Sequence, residues 1–514
     1  MATVSLRSTE GKWVMLSTIL ASSMAFIDAT ALNVVLPALQ KSLHATGTDL
    51  FWLLNAYLLI LASLILIGGS LGDKLGRKKI YMIGIFIFIA GSAACGFAPS
   101  VTLLIVCRVI QGLGGALMIP GSLSLISSSI HANEKGKAIG TWSAATTIVT
   151  MGGPVLGGAL ADAGLWRYIF FINVPIGVAA LFILWKKVAE SKEAGADPTL
   201  DYPAVITTAL GLAFLTFGFL RIPSVGFGNI QAYGALALGL LLLVAFVIRE
   251  SKASHPMMPL GLFANRTFTG ANLLTFFLYA GLGVGMLFLS LDLVQAQGYS
   301  QLQSGLTFLP FTLLMIGIAR LAGGWADKSG PRKLLIAGPA ITGVGLLLLS
   351  FVGETKGPSA YWTSFFPGIL VFGLGMSFTV APLTTAVMRS VSDEHSGIAS
   401  GVNNAMTRIS GVFANAIFGA LAVLLFTGSL HDKLRGLSLD EKSKQAAIAQ
   451  AVDLGNAKTP AGISGHDKEE IEAAYHTGFI DTYSRIMRLA SALAFLGTLM
   501  ALLLIKDPPQ RQAP

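Results

Sequence analysis

The stretch 13–37 reads WVMLSTILASSMAFIDATALNVVLP, with Asp28 inside it. A helix needs about 20 predominantly apolar residues to cross the roughly 30 Å hydrocarbon core of a bilayer, and this run is long enough. A carboxylate at the centre of such a helix costs about 2.5–3.5 kcal/mol on insertion scales. A chain that keeps one usually needs it to bind a cation or carry a proton. The plain alternative is an Asp hydrogen-bonded inside a bundle with no part in transport. The run is too long for a signal-peptide core, and no small-x-small cleavage pattern follows it, so it is read as part of the mature protein.

Composition extends this reading to the whole chain. Of the 514 residues, 54% are hydrophobic and only 12% are charged, whereas a soluble domain carries about 25% charged residues. With a mean hydropathy of +0.71, this is a polytopic membrane protein embedded in a lipid bilayer. The net charge of +9 does not indicate nucleic acid, because the basic residues sit mostly in short loops between apolar runs and set orientation there. The two cysteines, Cys95 and Cys107, fall in apolar runs without metal-ligand spacing and read as small buried hydrophobes.

Apolar runs predict about fourteen spans, at 13–37, 50–71, 80–98, 101–126, 137–160, 167–186, 203–221, 230–249, 268–291, 304–325, 333–352, 362–386, 398–427 and 484–505. Basic residues follow the even-numbered spans: Lys74, Arg77, Lys78 and Lys79 after the second, Lys135 and Lys137 after the fourth, Lys186, Lys187 and Lys192 after the sixth. Arg249, Lys252 and Arg266 follow the eighth, and Lys328, Arg332 and Lys333 the tenth. The intervening short loops are poor in Lys and Arg, which puts both termini in the cytoplasm. A polar segment from about 428 to 476 falls on the outer side; within it, 439–454 reads as an amphipathic surface helix with Ala447, Ile448 and Val452 on one side.

The chain also repeats itself. Gly69-Ser-Leu-Gly-Asp73-Lys-Leu-Gly76-Arg-Lys-Lys79 after the second span aligns without gaps on Gly323-Gly-Trp-Ala-Asp327-Lys-Ser-Gly330-Pro-Arg-Lys333 after the tenth, with Pro331 in place of the first basic residue. Matching halves then leave the seventh and eighth spans as an insert. Duplicated halves around a central site are a construction of secondary transporters.

These residues carry a family resemblance. The 69–78 motif resembles the loop motif of the major facilitator superfamily, and Arg108-Val-Ile-Gln111-Gly112 is similar to its helix-four motif. Gly153-Pro154-Val-Leu-Gly157-Gly158 resembles the helix-five motif that marks its antiporters, although Val149 stands where the family often has Gly. The segments 28–37 and 166–177 are similar to signatures of the fourteen-helix drug:proton antiporters. The resemblance covers nearly the whole chain apart from 428–476. It implies an all-α integral membrane fold of two pseudo-symmetric six-helix bundles, 13–187 and 267–506, with two additional central helices in 188–266.

The resemblance further implies that the 69–79 loop latches the halves on the cytoplasmic side, and that the glycine- and proline-rich fifth span bends while excluding proton leak. Independently of it, Asp73 can cap a helix N-terminus, Gly76 permits a tight turn, and Arg77 to Lys79 can pair with carboxylates or lipid phosphates. Gly69, Asp73, Gly76, Arg77, Asp327 and Arg332 are the gating candidates of the two loops, and Gly153, Pro154, Gly157 and Gly158 those of the fifth span; ordinary small-residue packing is the alternative.

Arg108 lies roughly 10 Å from the outer end of its span, and Asp28 roughly 8 Å from the outer side of the core, at 1.5 Å per residue. If spans one and four both line the cavity, as the resemblance implies, the two can pair or share a water network, and a carboxylate so placed can exchange one proton for one cation. Asn33, Trp52, Tyr57, Tyr279 and Asn404 are candidate cavity linings, each with packing as its alternative. Asp292, where the family more often has an aromatic, reads either as a residue that tunes selectivity toward cations or as a boundary residue in water. There is no phosphate-binding loop, catalytic triad or metal constellation, so a transporter rather than an enzyme is expected, with the proton as coupling ion and no cofactor. The expected function is monomeric, proton-coupled export of a hydrophobic, cationic small molecule across a bacterial inner membrane. The alternatives are export of an endogenous lipid, siderophore or antibiotic, or a non-transporting membrane sensor of the same fold.

Overall fold

A computed structural model describes residues 4–131, 134–191, 201–226, 228–253, 256, 258–391, 396–437 and 439–506. Lys192, one of the residues used for orientation, lies outside them. Helices follow one another along the chain: α1 Thr9–Leu43, α2 Gly47–Leu75, α3 Arg77–Phe97, α4 Val101–Ser129, α5 Lys135–Asp162, α6 Tyr168–Phe171, α7 Asn173–Lys187, α8 Tyr202–Val225 and α9 Ile230–Lys252. They continue with α10 Arg266–Gln295, α11 Gln301–Thr307, α12 Leu309–Ser329, α13 Arg332–Leu349, α14 Phe365–Arg389, α15 Ser396–Arg435, α16 Glu441–Ala449 and α17 His466–Leu504. Among the described residues, 13 helical segments are long and apolar enough to cross a membrane, and Ile148–Asp162 within α5 is a shorter apolar candidate. The protein is a multi-pass membrane protein.

Local sequence sets the helix ends. Ser8 accepts from the Gly11 amide and Ser100 from the Leu103 amide, while Ser300 and Gln303 form a reciprocal capping box at α11. Several helices run past the expected spans, two of them by far. α15 runs to Arg435, past 427, and α17 starts at His466, ahead of 484, because helical hydrogen bonding continues beyond the apolar run. The predicted 439–454 helix is also corrected: α16 gives way to a 3-10 segment, Gln450–Asn456, in which Leu454 adopts φ 53°. That left-handed backbone cannot continue an α-helix.

The chain forms two compact units, Met1–His44 with Trp52–Leu215 and Gly234–Met257, and Ala45–Phe51 with Thr216–Tyr233 and Met258–Pro514. Within the first, α1 packs on α4, α5 and α7, and α3 on α4 and α7. Within the second, α10 packs on α14, α15 and α17, and α13 on α14 and α17. These pairings correspond between the units, with α1 matching α10 and α3 matching α13. Close helix approach rests on glycine in both units: a Cβ on Gly114 would sit 2.3 Å from the Phe88 nitrogen of α3, and one on Gly375 2.3 Å from the Thr342 nitrogen of α13.

Candidate functional site

Asp28 of α1 is 1% exposed, and Arg108 of α4 is 2% exposed. The Arg108 Nη1 donates to Asp28 Oδ2 at 2.5 Å and to Gln111 Oε1 at 2.7 Å. Gln111 Nε2 donates to Asp28 Oδ1 at 2.9 Å. Arg108 and Gln111 lie three residues apart on one face of α4, so the Arg-x-x-Gln spacing brings a cation and an amide to the same carboxylate. The guanidinium also stacks 4.4 Å from the Tyr57 ring centroid, a cation–π contact that lets a charge sit among apolar neighbours. Both carboxylate oxygens have donors and the charge has a counter-ion, the conditions under which a buried ion is tolerated. Cys95 and Cys107 are buried beside this cluster as free thiols, with the Cys95 Sγ 3.8 Å from Gln111 Oε1.

Next to Asp28 on the same helix, Thr30 holds α1 against α5. Pro154 has no N–H, so the carbonyl of Thr150 loses its helical donor; Thr30 Oγ1 lies 3.1 Å from that carbonyl. A Cβ on Gly153 would lie 2.0 Å from Thr30 Oγ1, and one on Gly157 2.7 Å from the Ala31 carbonyl. Pro154 and Gly158 are buried in the same stretch. Gly152 has open space at its Cβ position. The helix-five motif is therefore a packing surface for the helix that carries Asp28.

The repeated loops turn alike. Gly76 has φ 114° and Gly330 φ 86°, conformations that favour glycine. Asp73 and Asp327 fall in the last turns of α2 and α12; their side chains lie outside the described residues. The expected cap by Asp73 therefore falls outside the described residues. Among the described residues, Glu190 supplies an anion at the N-terminus of α3: its carboxylate accepts from the Lys78 and Lys79 amides at 2.9 and 3.0 Å. The Arg77 amide donates to the Ser191 carbonyl at 2.7 Å. Arg332 donates to the Leu502 carbonyl at 3.3 Å. A Cβ on Gly69 would lie 3.7 Å from Pro120, an ordinary contact, whereas one on its neighbour Gly68 would lie 2.0 Å from the Ala116 carbonyl.

The remaining candidates do not join the Asp28 cluster as hydrogen-bond partners. Asn33 and Trp52 are partly buried, Tyr279 is partly buried in α10, and the exposed Asn404 donates to the Ser400 carbonyl of its own helix at 3.1 Å. Asp292 is 0% exposed, so it is not a boundary residue in water. Asn403 Nδ2 donates to Asn272 Oδ1 and Thr275 Oγ1 at 3.2 and 2.7 Å, tying α15 to α10. An apolar groove of about 510 Å³ between α3 and α7, lined by Phe86, Phe182 and Trp185 among others, is separate from Asp28.

Two helical units with matching internal packing and a buried ion pair between spans define a secondary transporter rather than an enzyme. Residues 18–415 match the Major Facilitator Superfamily, and the chain belongs to that family. It is 30% identical to the tetracenomycin C resistance and export protein of Streptomyces glaucescens over 496 residues, covering 96% of this chain and 91% of that protein. It is 31% identical to the multidrug resistance protein Stp of Mycobacterium tuberculosis, covering 87% of this chain and 82% of that one. Among solved structures, a bacterial homolog of the human lysosomal transporter Spinster, inward-facing and unoccupied, matches with a TM-score of 0.67 at 19% identity, covering 98% and 100% of the two chains. The inward-open xylose transporter XylE from E. coli matches with a TM-score of 0.58 at 14% identity, covering 97% of each.

Proposed function

We propose that this chain is a proton-coupled antiporter of the cell membrane that exports hydrophobic, cationic compounds by alternating access, with both termini cytoplasmic. The observation that carries the reading is the buried Asp28 carboxylate, held by one cation, Arg108, and one amide, Gln111. Protonation of Asp28 removes the charge that Arg108 neutralises, and a cationic substrate competes with Arg108 for the same oxygens. Proton and substrate therefore exclude one another at one carboxyl, which is the requirement for exchange. The relatives, an antibiotic resistance and export protein and a multidrug resistance protein, support a drug-like substrate.

The test is efflux of a lipophilic cationic dye from cells producing wild type or Asp28→Asn, with and without an uncoupler. The reading requires that wild type exports the dye and that the uncoupler and Asp28→Asn each abolish export at equal protein level. Full export by Asp28→Asn would remove Asp28 from the coupling step.

A further inference from the structure

The two units each bury a carboxyl group inside a long helix, and the two are held differently. Asp28 has a guanidinium and an amide. Asp292, one turn from the end of α10, has one neutral donor: Gln297 Nε2 lies 3.2 Å from its Oδ2. Its Oδ1 is buried and unpartnered. Among the described residues no Lys, Arg or His pairs with it.

Gln297 cannot offer more. Its Oε1 accepts from the Thr355 amide and hydroxyl at 3.0 and 2.8 Å, which fixes the side-chain amide's orientation, and its Nε2 also donates to the Gly353 carbonyl at 3.1 Å. Both amide hydrogens are committed. Two further hydroxyls lie within electrostatic reach of Asp292: Tyr299, after α10, and Tyr483 of α17. Each is buried without a hydrogen-bond partner. A buried carboxylate with a single neutral donor costs several kcal/mol, an order of magnitude that favours carrying the proton instead. Asp292 Oδ1 and both tyrosine hydroxyls are thus buried polar atoms left without partners in this conformation.

The other titratable groups at this end stand one step away. His476 Nε2 lies 2.6 Å from the Ala296 carbonyl, and His476 Nδ1 lies 3.8 Å from Glu354. Glu354 precedes Thr355, the partner of Gln297, so a short polar path joins Asp292 to exposed groups.

We propose that Asp292 is a second proton-carrying group of the transport cycle, so that two protons exchange for one monovalent cation. The inference rests on the antiporter reading above. One proton binds and leaves at the Asp28 carboxyl and the second at Asp292 Oδ1, so each turnover moves one net positive charge opposite to the substrate.

The experiment uses the full chain in proteoliposomes with ethidium as probe, an imposed pH gradient, and voltage clamped by potassium and valinomycin. With one net charge per turnover, the equilibrium ethidium ratio shifts about tenfold for each ~59 mV. Asp292→Asn should retain pH-driven exchange and lose this voltage dependence, while Asp292→Glu keeps it. A wild-type ratio that responds to the pH gradient but ignores voltage overturns the second site and leaves the antiporter reading intact; so does Asp292→Asn with the wild-type voltage shift. No pH-driven ethidium movement by wild type overturns the antiporter reading and this one with it. If Asp292→Asn does not fold, Asp292→Ser, which is also non-titrating, takes its place: loss of the voltage shift supports the second site and a wild-type shift overturns it.

Discussion

Arg108 donates a 2.5 Å hydrogen bond to Asp28 across 80 residues of sequence, and both side chains are almost wholly buried. The pair neutralises two charges that neither helix could carry alone. Its energetics and its proposed chemistry follow from the same contact.

Removing one partner should cost more than removing both. Arg108→Met leaves a buried carboxylate without its counter-ion, a loss of about 3–5 kcal/mol. Asp28→Asn combined with Arg108→Gln leaves no charge and should recover much of that stability without recovering transport. Thermal unfolding of the purified variants, alongside dye efflux, separates the two effects.

Neighbouring glycines should differ sharply. Gly153→Ala drives a methyl into Thr30 Oγ1, 2.0 Å from the ideal Cβ position, while Gly152→Ala meets open space. Gly153→Ala should separate α1 from α5 and depress transport at least several-fold, with Gly152→Ala near wild type. Likewise Gly68→Ala, which meets the Ala116 carbonyl, should be more harmful than Gly69→Ala. Efflux normalised to membrane protein level checks both pairs; equal effects within a pair would contradict the packing account.

Glu190→Gln should weaken the cap on α3 by about 1 kcal/mol, because a neutral amide interacts less favourably with two amides at a helix N-terminus. Gly76→Ala should be worse, since φ 114° strains any side chain and the added Cβ lies 2.8 Å from the Glu190 carboxyl carbon. Amide exchange of the 77–80 segment reports both.

The N-terminal segment should loosen in acid. The Leu6 amide donates to Glu134 Oε2 at 2.8 Å. This backbone hydrogen bond, with one from the Ser5 side chain, holds the Glu134 carboxyl below the ordinary glutamate value. A group depressed in the fold contributes its stability above its unfolded value and loses it as pH falls through the folded one. Leu6 amide protection should therefore be constant above about pH 4.5 and fall below it. Glu134→Gln should lower protection throughout; a protection profile flat to lower pH would contradict the assignment.

The sequence carried the spans, the repeat and the Asp28–Arg108 pairing because each rests on a local cost or a period. Apolar runs count helices, a buried charge announces itself, and residue counts along each span put Asp28 and Arg108 at similar depth; the part played by Gln111 emerged only from the structure. Glu190 was not legible: its contacts with Lys78 and Lys79 span 112 and 111 residues, and no local pattern distinguishes it from other loop acids. The ends of α15 and α17 were missed for a related reason, since hydropathy marks where a helix is apolar rather than where it stops. Asp292 was visible as an acid near a span end, but its burial depends on Gln297 and a distant loop.

Proton movement coupled to substrate tests the central claim most directly. Proteoliposomes enclosing a pH-sensitive dye receive ethidium outside, with no initial pH gradient. Ethidium entering down its gradient through wild type should drive protons out and make the lumen alkaline, and Asp28→Asn should give no such signal. Alkalinisation by Asp28→Asn at the wild-type rate would contradict the assignment of coupling to Asp28.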